Sequence, residues 1–243
     1  MPKIKFVRNR PWLTVESDSS PRPTVRTLPD WYRKADRFAI NPHTNEHWED
    51  PQVGGKIPTW KACPAIFDIM GAGYVYRTPC DIEFYEENGQ LKVKVSDFKN
   101  QQFVSVRPPM YQFTPPMGYH EAHFAWWADW AVEVPDGYSV LYSQPFNRFE
   151  LPFLTTSGII DNDKVNLPGT MPFFIVKGFT GIIPAGTPYA QMLPFKRENW
   201  ESETDDSVKM SDMSVINEKN SEKYRVANGG VYQKEVWERR TYE

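Results

Sequence analysis

Proline constrains the fold of this chain more than any other residue type. The sequence has 22 prolines in 243 residues, and all of them lie between Pro2 and Pro194. Proline removes a backbone donor and breaks helix interiors, whereas short strands end readily at proline and glycine turns. Because 15% of the residues are also aromatic, the composition favours extended, turn-rich β structure over a helical bundle.

The sequence pattern divides the chain into three predicted parts. Residues 1–69 are predicted to form an irregular N-terminal arm with short helices, because polar turn segments surround two short apolar runs. Residues 70–198 are predicted to form a β core, since apolar and polar residues alternate with a period of two from Tyr74 onward. Residues 199–243 are predicted to form a polar, partly helical tail.

Short strands between proline and glycine turns are typical of a mainly β sandwich or barrel-like domain. Asn88-Gly89 is a strong hairpin signal between two alternating runs. The further predicted strands are 103–107, 124–135, 138–145, 151–161, 172–179 and 188–197. Within 124–135, Phe124 and Trp126 share one face, and such an aromatic row belongs to a core more often than to a base-stacking surface.

Charge and cysteine content exclude several classes of protein. The net charge is -3, so the chain has no global basic field for direct nucleic-acid binding. Cys63 and Cys80 are the only cysteines, which excludes a disulfide framework, and we expect two small thiols in a reducing compartment. The sequence shows neither the apolar region of a signal peptide nor a membrane-spanning run. We therefore expect an intracellular chain, or one assembled from an intracellular pool, without a membrane partner.

The predicted core resembles the β-clip fold of dUTPases and dCTP deaminases in three phrases. These are "GAGYVYRTPCDIEF" at 71–84, "SGIIDNDK" at 157–164 and "GTPYAQMLPF" at 186–195. The resemblance implies a nucleotide pocket, magnesium if that pocket works, and trimers by analogy. It also implies candidate ligand-binding residues, which are Gly158, Ile160, Asp161, Tyr189 and Gln191. Asp161 is the candidate catalytic carboxylate, but the run "DNDK" between two apolar segments favours a turn role for it.

The chain differs from the β-clip enzymes at the positions that hold their metal, sugar and phosphate groups. Val75 stands where those enzymes have a metal-associated Asp, and Lys164 stands where they have a Tyr against the sugar. Their phosphate-binding phrase is absent, and the nearest stretch is "QPFNRFELPF" at 144–153. Their glycine-rich closing arm is also absent. These losses remove the groups that would position a triphosphate, so they favour a scaffold without catalysis.

A second resemblance covers most of the chain. The segments at 11–38, 54–82, 135–165 and 182–199 are similar to a domain family found in large contractile-tailed phages of marine bacteria and in some bacterial genomes. That family has no settled activity. The resemblance implies a bacteriophage origin, and cyanophages are among the phages concerned. It also implies a virion structural or assembly role with other phage structural proteins as partners.

His120, Glu121 and His123 are the metal-ligating candidates. Two histidines and a carboxylate can bind zinc or iron. On a strand, however, His120 and His123 would point to opposite faces, so a shared metal would need a helix or a bend there. The alternative is a solvated strand entry, and no cofactor is expected.

Tryptophans outside the predicted core are candidate partner-binding residues: Trp12, Trp31, Trp48 and Trp237. A loop-rich arm and a polar tail that carry such residues are suited to packing against their own domain or against a neighbouring subunit. Self-association into a homo-oligomer is therefore expected. The first functional hypothesis is a non-catalytic phage-type structural or assembly protein. The alternative is a nucleotide-binding regulator, or an enzyme of the nucleotide hydrolase or deaminase type, with a modified dUTPase-like pocket.

Overall fold

The computed structural model describes residues 1–8, 19–51, 55–96, 102–108, 114–166, 169–207, 209–224 and 232–243. They fall into two compact units, of which the first lies within 1–27 and 73–197 with Tyr242, and the second within 28–72 and 198–241 with Glu243.

The prediction of a mainly β chain is confirmed. All the named strands belong to the first unit. They are β1 (Lys5–Arg8), β2 (Arg22–Pro23), β3 (Tyr74–Arg77), β4 (Ile82–Glu87), β5 (Gln90–Val95), β6 (Val104–Arg107), β7 (Tyr119–Trp127), β8 (Trp130–Glu133), β9 (Tyr138–Ser143), β10 (Phe153–Thr155), β11 (Gly158–Ile160), β12 (Thr170–Val176), β13 (Gly181–Ile183) and β14 (Pro188–Lys196).

The strands form four antiparallel sheets. Their orders are β11-β9-β14-β3-β2, β10-β12-β7-β6, β13-β4-β5 and β1-β8. The sequence left open a barrel or a sandwich, and among the described strands no closed barrel forms. The predicted hairpin at Asn88-Gly89 joins β4 to β5, and both of its turn residues have positive φ, as a tight two-residue turn requires.

Two predicted strands are each divided between two sheets. The run 124–135 was expected to be one strand, but β7 ends at Trp127 and β8 begins at Trp130 in a different sheet. The run 151–161 divides in the same way into β10 and β11. In both cases the chain turns a corner, so each half pairs with a different neighbour.

An aromatic cluster fills the core of the first unit. Trp126 of β7 stacks on Phe173 of β12 with ring centroids 3.6 Å apart, and both side chains are fully buried. Phe124 and Phe153 pack around the same pair. The expectation that the aromatic row of 124–126 belongs to the core agrees with this burial, and the row is not available for stacking on a ligand.

The second unit contains the α-helices. These are α1 (Asp30–Lys34), α2 (Pro64–Gly71) and α3 (Met210–Tyr224), with a 3₁₀ turn at Trp60–Ala62 and a π-helical turn at Tyr232–Val236. Pro64 opens α2, where the missing N–H removes no helical bond. No helix within the described ranges combines the length and the apolar character that spanning a bilayer requires.

We expect Gly73→Ala to destabilise the first unit severely. Gly73 precedes β3 with φ +64°, and an added Cβ would lie 1.9 Å from the carbonyl oxygen of Met192 in β14. Backbone strain and this backbone clash together should lower the free energy of unfolding by at least about 3 kcal/mol. The measurement is urea denaturation followed by near-UV circular dichroism.

Gly178→Ala is the matched control. Gly178 also has positive φ, of +79°, but an added Cβ there meets no atom within 4 Å. Strain alone should cost about 1–2 kcal/mol. Equal losses in the two variants would contradict the close approach between Gly73 and β14.

Candidate functional site

The residues of the proposed nucleotide pocket lie on three neighbouring strands. In the five-stranded sheet β9 separates β11 from β14, and Tyr142 of β9 lies opposite both Gly158 and Met192. The segment Gly158–Asp161 is therefore one strand away from the segment Tyr189–Gln191. The sheet brings the two phrases into one region but does not make them direct neighbours.

Tyr189 is part of the core. Its side chain is only 2% exposed, and its ring packs against Tyr76, Phe103 and Trp126 with centroid distances of 5.7, 5.3 and 5.1 Å. A ligand could reach this ring only if the aromatic cluster opened. The side chain of Tyr189 therefore offers no accessible surface for the predicted ligand.

The side chain of Gln191 bonds to the loop that follows β9. Its side chain is 1% exposed, and its Oε1 accepts a hydrogen bond from the backbone N–H of Phe146 at 3.0 Å. The neighbouring Gln144 acts similarly, since its amide donates to the carbonyl of Phe153 and accepts from the N–H of Thr155. Both amides satisfy backbone groups that would otherwise be buried without partners.

Asp161 lies in a turn that follows β11. The backbone N–H groups of Lys164 and Val165 both donate to its carbonyl, as in a compact turn. Its carboxylate accepts a hydrogen bond from the Ser139 hydroxyl at 2.6 Å and lies 3.2 Å from the Arg197 guanidinium. The hydrogen bond from Ser139 is the main cause that lowers the pKa of Asp161. An ionised carboxylate with two partners is a poor general base.

Asp163, two residues later, is the more deeply held carboxylate, and the sequence did not single it out. Its side chain is 5% exposed. It forms a bidentate ion pair with Arg197, in which one N–H···O distance is 2.9 Å, and it accepts a bond from the backbone N–H of Gly137. The Arg197 guanidinium holds the pKa of Asp163 well below its usual range. This network ties the turn after β11 to the ends of β9 and β14.

A cavity of about 430 Å³ lies beside the loop to which Gln191 bonds, but none of the five candidate ligand-binding residues lines it. It is lined by the stretch 143–149, which contains the segment nearest to a phosphate-binding phrase, and by Ser157, which precedes β11. Its cation, Arg148, pairs with the Glu150 carboxylate and donates to the carbonyl of Thr27. Because the guanidinium already has an anionic partner, this cavity lacks the free positive charge that a phosphate cradle needs.

Gly158 and Ile160 lie at the surface. β11 is an edge strand that pairs with β9, and none of the described strands lies on its other side. Ile159 and Ile160 are 63% and 36% exposed. An exposed apolar edge of this kind is suited to strand pairing with another chain more than to holding a small polar ligand.

The metal-ligating candidates do not converge. His120 and His123 both lie on β7, and the Nδ1 of His120 accepts a hydrogen bond from the N–H of Ala122. The His123 ring is buried beside Phe174, and burial lowers its pKa. Glu121 is exposed. Among the described residues no group of three His, Cys, Asp or Glu side chains could hold a metal ion.

The partner-binding candidates differ in exposure. In the second unit Trp31 and Trp60 form an edge-to-face pair with centroids 6.5 Å apart, and they are 41% and 50% exposed. Trp48 is also exposed. Trp237 is half-buried, because its indole N–H donates to Asp68. Trp12 lies outside the described residues, and Trp60 was not among the sequence candidates.

A scan against protein-family models and a search of curated proteins each found no match to this chain.

We expect Asp163→Asn to destabilise the protein more than Asp161→Asn at neutral pH. Asp163 is nearly buried and bidentate with Arg197, whereas the Asp161 side chain is 46% exposed. Because the folded-state pKa of Asp163 is depressed, its ionisation stabilises the fold above the unfolded-state pKa of about 4. That contribution is lost as the pH falls from there toward the folded-state pKa.

The measurement is thermal unfolding of the wild type and both variants between pH 7 and pH 2.5. The difference in melting temperature between the wild type and Asp163→Asn should be largest at pH 7 and should narrow below about pH 4. A difference that stays constant over this range would show that the carboxylate charge of Asp163 does not stabilise the fold.

Proposed function

We propose that this chain is a non-catalytic structural or assembly protein of a phage-type particle, built on a dUTPase-like β-clip scaffold. The proposal rests on the contacts that the residues of the dUTPase-like phrases make within the protein. Tyr189 and Gln191 are buried in internal contacts, and Asp161 is engaged by Ser139 and Arg197. The residues that could have formed a pocket instead stabilise the fold.

Exposed apolar groups support an assembly role. The Trp31–Trp60 pair, Trp48 and the edge strand β11 present apolar surface that a monomer would normally cover. A second copy of the chain is the occupant we propose, since β-clip proteins commonly associate as trimers. The resemblance to a phage domain family adds other phage structural proteins as partners, with assembly beginning in the host cytoplasm.

We expect no nucleotide-selective chemistry. The purified protein would be incubated with magnesium and each deoxynucleoside triphosphate, and released pyrophosphate and the melting temperature would be measured together. No pyrophosphate should be released, and any stabilisation should be equal for every base and unchanged in Asp161→Ala. A specific ligand at 100 times its Kd would stabilise the protein by about 2.7 kcal/mol, so selective binding would be visible.

One result would overturn the scaffold proposal. It is a base-selective rise in melting temperature that Asp161→Ala abolishes, with or without pyrophosphate release. That result would favour a nucleotide-binding regulator or hydrolase with a modified pocket.

We expect the protein to self-associate through the surface formed by the Trp31–Trp60 pair. Light scattering after size-exclusion chromatography should give a mass above that of the monomer. Trp31→Ser with Trp60→Ser should shift the mass toward the monomer, because it removes the paired apolar surface. Trp200→Ser is the matched control, since Trp200 is 86% exposed and belongs to the same unit.

A monomeric wild type over the accessible concentration range would contradict self-association. Equal dissociation by the control and the paired substitution would contradict the assignment of the Trp31–Trp60 surface. Circular dichroism of each variant separates loss of association from loss of folding.

A further inference from the structure

The second unit holds a cavity of about 520 Å³ with an unusual distribution of charge. Four cationic side chains line it: Arg37, Lys61, Lys234 and Arg239. Among the described residues that line it, none is acidic. The cavity therefore concentrates positive charge within a protein whose net charge is -3.

The cations are held in place by neutral partners. Arg37 donates to the side-chain oxygen of Gln233 at 3.1 Å. The Lys61 ammonium donates to the backbone carbonyls of Tyr32 and Arg33 at 3.0 and 3.1 Å. These contacts fix the positions of the two side chains without cancelling their charge. Both still have unused N–H donors.

Of the other two cations, Lys234 lies in the π-helical turn and Arg239 follows it. The Arg239 guanidinium lies 5.4 Å from the centre of the Phe67 ring, and Lys234 is exposed. Within the described part of the chain, no carboxylate is paired with any of the four cations. Asp68 is the carboxylate nearest in sequence to Phe67, and it is engaged by Trp237 and Arg240.

The surroundings of these charges favour a bound anion. Phe67 and Trp237 form an apolar wall, next to which ion pairs are stronger than in open water. Cys63 and Pro64 border the cavity, so it lies at the N-terminal end of α2, where the helix dipole is positive. Four like charges around one cavity repel each other unless an anion lies between them.

We propose that this cavity binds a compact polyanion that carries two or more phosphate groups. A phosphate chain places several negative charges within a few ångströms of one another, which matches four cations around one cavity. The forked N–H groups of two arginines are also suited to phosphate oxygens. The inference is independent of the function proposed above, because Asp161 and its partners belong to the other unit.

Inorganic tripolyphosphate is the probe, and isothermal titration calorimetry of the full chain at low ionic strength is the measurement. We expect saturable binding with one site per chain. Lys234→Gln with Arg239→Gln should weaken it at least about tenfold, since each removes a charged donor. Both side chains are exposed, so folding should be preserved.

Lys209→Gln with Lys219→Gln is the matched control. It removes the same charge from exposed positions of the same unit that do not line the cavity. The control should bind as the wild type does. Absence of binding to the wild type, or equal weakening by the control, would overturn the proposal. Citrate binding as tightly as tripolyphosphate would overturn the assignment to phosphate.

The reactivity of Cys63 tests whether the anion binds in this cavity. It lines the cavity and is half-buried, whereas Cys80, the only other cysteine in the sequence, is buried in the first unit. Tripolyphosphate should slow the alkylation of Cys63 by iodoacetamide, as followed by mass spectrometry of the peptide. Binding without protection of Cys63 would show that the anion binds elsewhere and would overturn the assignment to this cavity.

Discussion

The burial of one threonine hydroxyl between two aromatic strands constrains the rest of the first unit. Thr155 of β10 accepts a hydrogen bond from the Trp126 indole N–H and donates its own proton to the backbone carbonyl of Tyr189. These bonds connect β7, β10 and β14, which belong to two different sheets. A buried indole and a buried carbonyl without partners would each be costly, so the geometry leaves little freedom in how the sheets pack. Tyr189 becomes a core residue as a consequence.

Hydrogen-bond partners likewise decide whether the surface carboxylates of the first unit can act as general bases. Asp161 and Asp163 are both within reach of Arg197, and Ser139 and Gly137 supply further donors. Each of these contacts stabilises an ionised carboxylate, so both pKa values fall. General base catalysis needs a carboxylate whose pKa lies nearer to the working pH. A turn whose two carboxylates both pair with Arg197 instead connects the strands structurally.

Local signals in the sequence predict the strands and the turns but not their partners. Asn88-Gly89 predicts its hairpin because the turn geometry depends on those two residues alone. The alternation around Trp126 likewise predicts a buried face. Asp161 and Asp163, by contrast, carry the same local signal, and the residue that distinguishes them, Arg197, lies 34 positions beyond Asp163. The corners that divide 124–135 and 151–161 depend on which strands each half pairs with, so the local pattern does not reveal them.

The two units differ in whether their cationic side chains are paired with carboxylates. Arg197 in the first unit is shared by two carboxylates, and an anionic ligand would have to displace both. In the second unit Arg37 and Lys61 bond to neutral oxygens, and among the described residues neither is paired with a carboxylate. Charge that is positioned but not cancelled carries an electrostatic cost in the folded chain, and a bound anion removes that cost. This contrast is why we place the proposed anion site in the second unit and the proposed scaffold role in the first.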